Sequence, residues 1–143
     1  MQIESSILIK TPASTIYALY ADVNNWNTWD PDLKSSSIDG AFANGATGEV
    51  VPKGGPKSKV VFSNIVPNKS FSVECKLPLC KMRFEHELLA QTDGKSNGTT
   101  ATHRVVFEGL LAPLFGRLIG SGMRKTLPHA MASLRQAAEA RGA

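Results

Sequence analysis

The sequence predicts an α+β fold in which a curved antiparallel sheet wraps around a long C-terminal helix, with two short helices after the first strand. Three patterns predict it: a strand-like segment at residues 2–10, successive strands with tight turns from about 35 to 110, and a helical apolar repeat from about 112 to 141. The chain has 143 residues, of which 42% are hydrophobic and 20% charged. This composition and length are typical of one globular domain, here 1–143.

The first strand is followed by the two short helices. Thr11 and Pro12 predict a helix start, because a hydroxyl caps free backbone N–H groups and proline is favoured at the first helical position. The apolar face of that helix is formed by Ile16, Leu19, Tyr20 and Val23. Trp26 and Trp29 lie three residues apart on a second helical turn, which Pro31 ends. We expect both indoles to have a structural role and to cover one end of the sheet.

The strands from about 35 to 110 form a meander with one apolar face. The turns between them are Asp39-Gly40, Asn44-Gly45, Gly54-Gly55-Pro56, Pro67-Asn68, Leu77-Pro78-Leu79 and a longer loop from Asp93 to Gly98. Alternation places Phe71, Val73 and Cys75, then Met82, Phe84, His86 and Leu88, then Ala101, His103, Val105 and Phe107 on the same face. Two registers of the last two strands stay open, with either Glu87 or Glu85 opposite Arg104.

The C-terminal repeat predicts a single amphipathic helix over residues 113–141. Apolar side chains recur at three- and four-residue steps, and charged side chains fill much of the rest. Pro128 lies inside this pattern, where it removes one backbone hydrogen bond and clashes with the carbonyl of Arg124. We therefore expect the helix to bend near Pro128 and to lie on the concave face of the sheet.

Composition excludes several classes of function. The net charge is +4, but the basic residues are scattered from Lys10 to Arg141, so nucleic acid is not an expected partner. No apolar run approaches the ~20 residues that span a bilayer, so we expect no integral membrane association. Reduced thiols at Cys75 and Cys80 are the default for a core of this size, and the expected location is cytoplasmic. No phosphate-binding loop, metal-ligand set or cofactor motif is evident, and we expect no cofactor.

Several segments resemble one known superfamily. They are Thr11 to Ser14 followed by Ile16 to Leu19, then Asp22 to Trp26 with Trp29 to Pro31, and the long final helix. In this order they are similar to the SRPBCC superfamily, and within it to the polyketide cyclase/dehydrase-like group. The resemblance implies the helix-grip fold, shared with START lipid-transfer domains and birch-pollen allergens, with a cavity between sheet and long helix. It implies no single activity, since the superfamily contains carriers and cyclases and has no common catalytic motif.

The inward face predicts a pocket for a small hydrophobic molecule, because apolar and methionine side chains favour burial of ligand surface. Asn64 phases inward beside Phe62 and could bond a ligand oxygen, although an asparagine near a turn such as that at Pro67 more often closes the turn through backbone contacts. The predicted ligand-binding residues are Phe62, Asn64, Phe71, Val73, Met82, Phe84, His86, His103, Val105, Phe107, Phe115, Leu118, Met123 and Leu127. The same residues are also what a closed core requires.

His86 and His103 are the polar exceptions on that face and the candidate catalytic residues. Two imidazoles within ~8 Å could orient a carbonyl or act as acid and base, whereas two ligands alone do not make a zinc site. With no inward carboxylate beside them, binding of a fatty acyl, isoprenoid or polycyclic molecule is the favoured function. The alternative is a cyclase or dehydratase that uses both histidines. Burial should hold the pKa of each below ~6.5. The oligomeric state is left open.

Overall fold

The computed structural model describes residues 2–90 and 98–142, and the predicted elements are found there in the predicted order. The strands are β1 (Gln2–Ile9), β2 (Leu33–Ile38), β3 (Thr47–Pro52), β4 (Ser58–Val66), β5 (Ser70–Leu77), β6 (Cys80–Ala90) and β7 (Thr99–Glu108). The helices are α1 (Ala13–Ala21), a 3-10 helix (Val23–Thr28), α2 (Ala112–Leu118) and α3 (Gly120–Gly142). Apart from Gly98, the predicted loop from Asp93 to Gly98 lies outside the described residues.

The strands form one antiparallel sheet in the order β1-β7-β6-β5-β4-β3-β2. The sheet curls into a half-barrel, and the long C-terminal helix completes an α+β helix-grip fold, as predicted. The β6–β7 register places His86 directly opposite His103 and Glu85 opposite Arg104, which decides between the two registers that the sequence left open. The β5–β6 register pairs Phe71 with His86, so the apolar sets of β5, β6 and β7 share the concave face.

The convex face of β1, β6 and β7 carries a network of ion pairs. Arg104 contacts Glu4 at 2.6 Å, Glu85 at 2.9 Å and Glu87 at 3.0 Å. Arg83 contacts Glu85 at 2.8 Å on the same face. These contacts hold the pKa of both guanidinium groups above the ordinary value, because each charge is hydrogen-bonded to carboxylates. The network ties three neighbouring strands together on the side opposite the concave face.

The C-terminal helix is divided where the sequence predicted continuity. Ile119 separates α2 from α3, and Pro128 lies within α3. A single helix over 113–141 was therefore wrong, whereas the bend near Pro128 stays a prediction. Gly120 begins α3 in a buried position against β1, where an added Cβ would lie 2.7 Å from Cδ1 of Ile3. Pro128 is exposed, so water can bond the carbonyl that it leaves without a partner.

The helices cover the concave face unevenly. α1 and the 3-10 helix bury Ile16, Leu19, Tyr20, Val23 and Trp26. α3 packs mainly on β1 and α1, through Ala130, Met131, Leu134 and Ala138 in its second half. Its first half is less buried, with Met123 and Leu127 partly exposed. Among the described helices, none combines the length and the apolar character needed to cross a membrane.

Candidate functional site

The concave face has two parts that follow one another along β6 and β7. The aromatic end surrounds His86 and His103, and it also contains Tyr20, Trp29 and Phe71. The apolar end begins with the next pair on the same face, where Phe84 faces Val105, followed by Met82 facing Phe107. Phe115, Met123 and Leu127 from the C-terminal helices pack against the core and complete this end. The two ends differ in packing and in chemistry.

Tyr20 and His103 form the central polar contact of the aromatic end. The Tyr20 hydroxyl lies 2.8 Å from Nε2 of His103, with the donor set by the imidazole tautomer. Tyr20 is completely buried and His103 is 5% exposed. Burial raises the pKa of Tyr20 and, with the neighbouring His86 as a second cause, holds the pKa of His103 well below its ordinary value. Both groups are therefore neutral at pH 7, and each satisfies the other.

His86 lies next to this pair but differs in its partners. Its ring stacks on Phe71 at a centroid distance of 4.0 Å, and its edge meets His103 at 4.5 Å. The residue is partly exposed, but Nδ1 itself is buried and has no hydrogen-bond partner among the described residues. Burial lowers the pKa of His86 to about 4, so its imidazole is neutral at pH 7. The backbone of Phe71 and Phe84 acts on this pKa in the opposite direction through hydrogen bonding, but burial outweighs it, and Nδ1 has no well-formed hydrogen bond within the described part of the chain.

Trp29 presents a second unused polar atom at the same end. Its ring contacts Tyr20 and His103 at centroid distances of 6.1 and 6.3 Å. Nε1 of Trp29 is buried and, like Nδ1 of His86, has no partner within the described ranges. Trp26 differs, because its Nε1 donates to the Tyr20 carbonyl at 2.9 Å. Both indoles cover this end of the sheet, as the sequence predicted, but only Trp29 adds a free donor.

Two members of this site were missed from the sequence. Tyr20 was assigned to the apolar face of α1, and Trp29 mainly to a structural role, with a position at the rim of the cavity as the alternative for one of the two tryptophans. The sequence did contain one indication of the role of Tyr20, because a buried tyrosine usually forms a hydrogen bond through its hydroxyl. The partner itself was not predictable, because His103 lies 83 residues away in the sequence.

The apolar end is looser than the aromatic end. Val105 and Phe107 are 1% and 2% exposed and form its floor. Phe84, Phe115 and Met123 above them are only partly buried. α3 packs on β1, α2, α1 and β7, and β3, β4 and β5 are not among its main contacts.

Most of the predicted ligand-binding residues lie on the concave face, but two do not. Leu118 is 67% exposed, so its expected inward position is wrong. Leu118 ends α2, and the buried residues of that helix are Ala112 and Gly116 instead. Asn64 is exposed as well, and its predicted inward phase is also wrong. β4 shifts register between Ser63 and Val66, where Asn64 has a φ of 51°. Such a bulge inverts the alternation on which the prediction depended.

Depressions in the outer surface do not coincide with the predicted site. One of about 500 Å³ is lined by exposed α3 residues between His129 and Glu139, and another of about 430 Å³ lies between α3 and the end of β1. Neither includes a residue predicted to bind the ligand. Within the part of the chain that the structure describes, no three side chains form a metal-ligating cluster. The concave face therefore remains the strongest candidate for a binding site, on the grounds of its apolar end and its unpaired Nδ1.

Comparison with solved structures identifies similar folds at low sequence identity. A Thermus thermophilus protein is 12% identical with a TM-score of 0.75, each chain covered over 100% of its length. A START superfamily protein from Mycobacterium smegmatis is 14% identical with a TM-score of 0.74, covering 96% of this chain and 97% of that one. The Zhui aromatase/cyclase from a Streptomyces species is 15% identical with a TM-score of 0.71, covering 99% and 94%. These likenesses concern the fold.

Comparison of the sequence with family models is more specific. No curated protein matches the chain. The model described as polyketide cyclase/dehydrase and lipid transport, which is of the SRPBCC type, matches residues 1–139. The match extends from β1 to the last turns of α3 and includes both ends of the concave face. The chain therefore belongs to the polyketide cyclase/dehydrase and lipid transport family.

Proposed function

We propose that the protein binds a small hydrophobic molecule between the first half of α3 and the apolar end of the concave face. The observation that carries the proposal is the contrast between the buried floor of Val105 and Phe107 and the partly exposed Phe84, Phe115 and Met123 above it. Apolar side chains that are left half-exposed gain free energy when a ligand covers them, at about 25 cal/mol per Å². Methionine adapts to the shape of such a ligand.

The ligand class follows from what surrounds the site. Side chains at the apolar end carry no charge, which suits a fatty acyl, isoprenoid or polycyclic molecule. His86 lies two residues from Phe84 on the same face of β6, with Nδ1 unpaired. A ligand with one carbonyl or hydroxyl group at its inner end would supply the missing hydrogen bond. His103 is not available in the same way, because Tyr20 occupies its Nε2.

The geometry favours binding over the alternative of a cyclase or dehydratase. Proton transfer at pH 7 needs groups whose pKa values lie near that pH. The pKa of His86 is lowered to about 4 and that of His103 well below its ordinary value, both mainly by burial. No carboxylate in the described ranges bonds to either imidazole to reverse this effect. The two histidines therefore suit a neutral hydrogen-bonding role.

Native mass spectrometry of freshly purified protein tests the proposal, together with thermal shift assays using fatty acids, flavonoids and quinones. We expect a retained small molecule or a raised melting temperature, since a ligand that binds only the folded state stabilises it by about 2.7 kcal/mol at a hundredfold excess over Kd. Phe84→Ala should weaken binding. Val106→Ala is the matched control, because Val106 is also half-buried but lies on the convex face.

Two results would contradict the proposal. One is the absence of any retained mass and of any shift with the whole panel. The other is an equal loss of affinity in Phe84→Ala and Val106→Ala, which would indicate a general effect on stability rather than contact with the ligand. His86→Ala then separates the two parts of the proposal, because it should weaken ligands that carry a carbonyl more than hydrocarbon ligands of similar size.

A further inference from the structure

An exposed group of leucines lies at the end of the molecule next to the apolar end. Leu79 in the β5–β6 turn is 66% exposed, and Leu110, Leu114 and Leu118 are 78%, 49% and 67% exposed. We call these four residues the leucine tip. The segments that carry them are joined, because the backbone N–H of Leu111 donates to the carbonyl of Leu79 at 3.0 Å. Exposed apolar side chains gathered at one end of a molecule are typical of an interaction site.

α2 leaves two of its leucines in solvent, although partly buried Phe115 packs against the core. Its buried residues are the small Ala112 and Gly116. At about 100° per residue, Leu114 and Leu118 lie roughly opposite that buried side and point into solvent. An ordinary surface helix turns its leucines toward the core. Leu114 and Leu118 of α2 are therefore available for contact with a partner.

The surroundings of the leucine tip are mainly basic. Neither residues 75–82 nor residues 109–138 include an aspartate or glutamate, and Glu108, which lies two residues before Leu110, is paired with Arg83. The segments next to the tip contain Lys76, Lys81, Arg117, Arg124 and Lys125. Lys81 lies 3.8 Å from Glu74, but no ion pair involves Arg117 or Lys125 in the part of the chain that the structure describes. Most of the tip's positive charge is therefore free.

We propose that the leucine tip docks on the surface of a lipid bilayer that contains anionic lipids. Leucines would insert among the acyl chains, while Arg117 and Lys125 would bind the anionic headgroups, the combination by which interfacial helices hold a membrane. A second copy of this chain is disfavoured, because two basic tips would repel one another. A protein partner is less favoured, because leucine is under-represented among the residues that dominate protein interfaces. The tip borders the proposed ligand site, so docking would place that site beside the lipid.

Vesicle flotation tests the proposal with the full chain and two lipid compositions. Wild type should float with vesicles of phosphatidylcholine mixed with phosphatidylglycerol, and much less with phosphatidylcholine alone. Leu114→Gln/Leu118→Gln should weaken binding at least about tenfold. Leu89→Gln is the matched control, because Leu89 is also 67% exposed but lies at the far end of β6. It should bind as wild type does.

The basic residues are tested separately. Arg117→Gln/Lys125→Gln should weaken binding to the anionic vesicles, by about fivefold for each residue. The control Lys34→Gln/Lys59→Gln has the same net charge and places the changes on β2 and β4, so it should have a much smaller effect. Should the leucine variants unfold, as judged by circular dichroism, Leu79→Gln tests the same tip from another element.

Several outcomes would overturn docking on a bilayer. They are no binding of wild type to either kind of vesicle, equal losses in the tip and control variants, or a wild-type dimer that Leu114→Gln/Leu118→Gln makes monomeric without any vesicle binding. Ligand affinity in vesicle-free solution keeps this proposal apart from the preceding one. Docking is supported if the leucine variants lose vesicle binding but retain their affinity for the ligand. If wild type binds vesicles but no ligand is found for it, docking still holds and only the proposed function is contradicted.

Discussion

The hydrogen bond between Tyr20 and His103 predicts a large effect from a small change. Tyr20→Phe removes one oxygen atom and leaves Nε2 of His103 buried without its partner at 2.8 Å. An orphaned buried polar group costs about 1–3 kcal/mol. Neither water nor a charged neighbour can replace the hydroxyl easily, because Tyr20 is 0% exposed and His103 is 5% exposed. We therefore expect a loss of about 2 kcal/mol in the free energy of unfolding.

Tyr17→Phe is the matched control for this change. Tyr17 is on the same helix, and its hydroxyl donates to the carbonyl of Ser70 at 3.3 Å in a partly buried position. A longer bond near the surface is worth less, and water can replace it, so the expected loss is below about 1 kcal/mol. Chemical denaturation at pH 7 measures both variants. In a thermal scan each kcal/mol corresponds to roughly 3 °C for a chain of this size.

A double-mutant cycle then tests the pairing itself. His103→Leu alone leaves the Tyr20 hydroxyl unpaired, whereas Tyr20→Phe/His103→Leu leaves no unpaired polar atom of the two. The double variant should thus be less destabilised than the sum of the single variants, by about 1 kcal/mol or more. Additive losses, or a Tyr20→Phe variant as stable as Tyr17→Phe, would refute the reasoning that this bond is the central polar contact of the aromatic end.

Three further predictions concern titration and backbone geometry. The free energy of unfolding should fall as the pH drops from 6.5 toward 4, by up to about 1.4 kcal/mol per pH unit for each buried histidine. The reason is that the unfolded chain binds protons that folded His86, with its pKa of about 4, does not bind. Denaturation of wild type and His86→Gln across that pH range measures the difference. Asp30 affects stability in the opposite direction, because burial raises its pKa to about 6 and the folded carboxyl binds a proton at a higher pH than the unfolded one. Asp30→Asn should therefore raise the free energy of unfolding at pH 7 by about 1–3 kcal/mol. It should also make the loss of stability below pH 6 steeper than in wild type. Gly109→Ala should cost about 1–3 kcal/mol in thermal melts, because φ is 118° and a Cβ would lie 2.7 Å from the Leu79 carbonyl oxygen, whereas Gly54→Ala has open space and should be near neutral.

Periodicity predicted the fold because the sheet and helices are patterned over long, regular segments. Alternation along β5, β6 and β7 correctly assigned the concave face from Phe71 to Phe107. Charge pairing was unable to select the β6–β7 register, and the structure shows why: Arg104 reaches Glu85 and Glu87 together, so both alignments satisfy it. A long arginine side chain reaches two positions of the neighbouring strand, so its ion pairs do not identify the register.

The wrong predictions share a cause in contacts between distant parts of the chain. Asn64 was phased on the assumption of an unbroken strand, but the bulge in β4 adds a residue to the ladder. Gly120, directly after the break, packs against Ile3, which lies 117 residues earlier in the sequence. Glycines were visible there in the sequence, but Pro128 was the stronger local signal for a helix disruption. Rules based on local sequence rank Gly120 and Pro128 as helix breakers, but the position of the break also depends on tertiary packing, which these rules do not include.

The division of the concave face explains how a small domain can combine a stable core with a deformable site. At the aromatic end, Phe62, Phe71 and Tyr20 are at most 1% exposed and connect α1 to the middle strands. This end holds the sheet and α1 in place whether or not the apolar end is filled. The second half of α3 carries the most buried anchors of that helix, Met131 and Leu134, whereas Met123 and Leu127 in the first half are only partly buried. Local opening costs least where packing is loosest, so ligand entry at the apolar end need not disturb the residues that stabilise the fold.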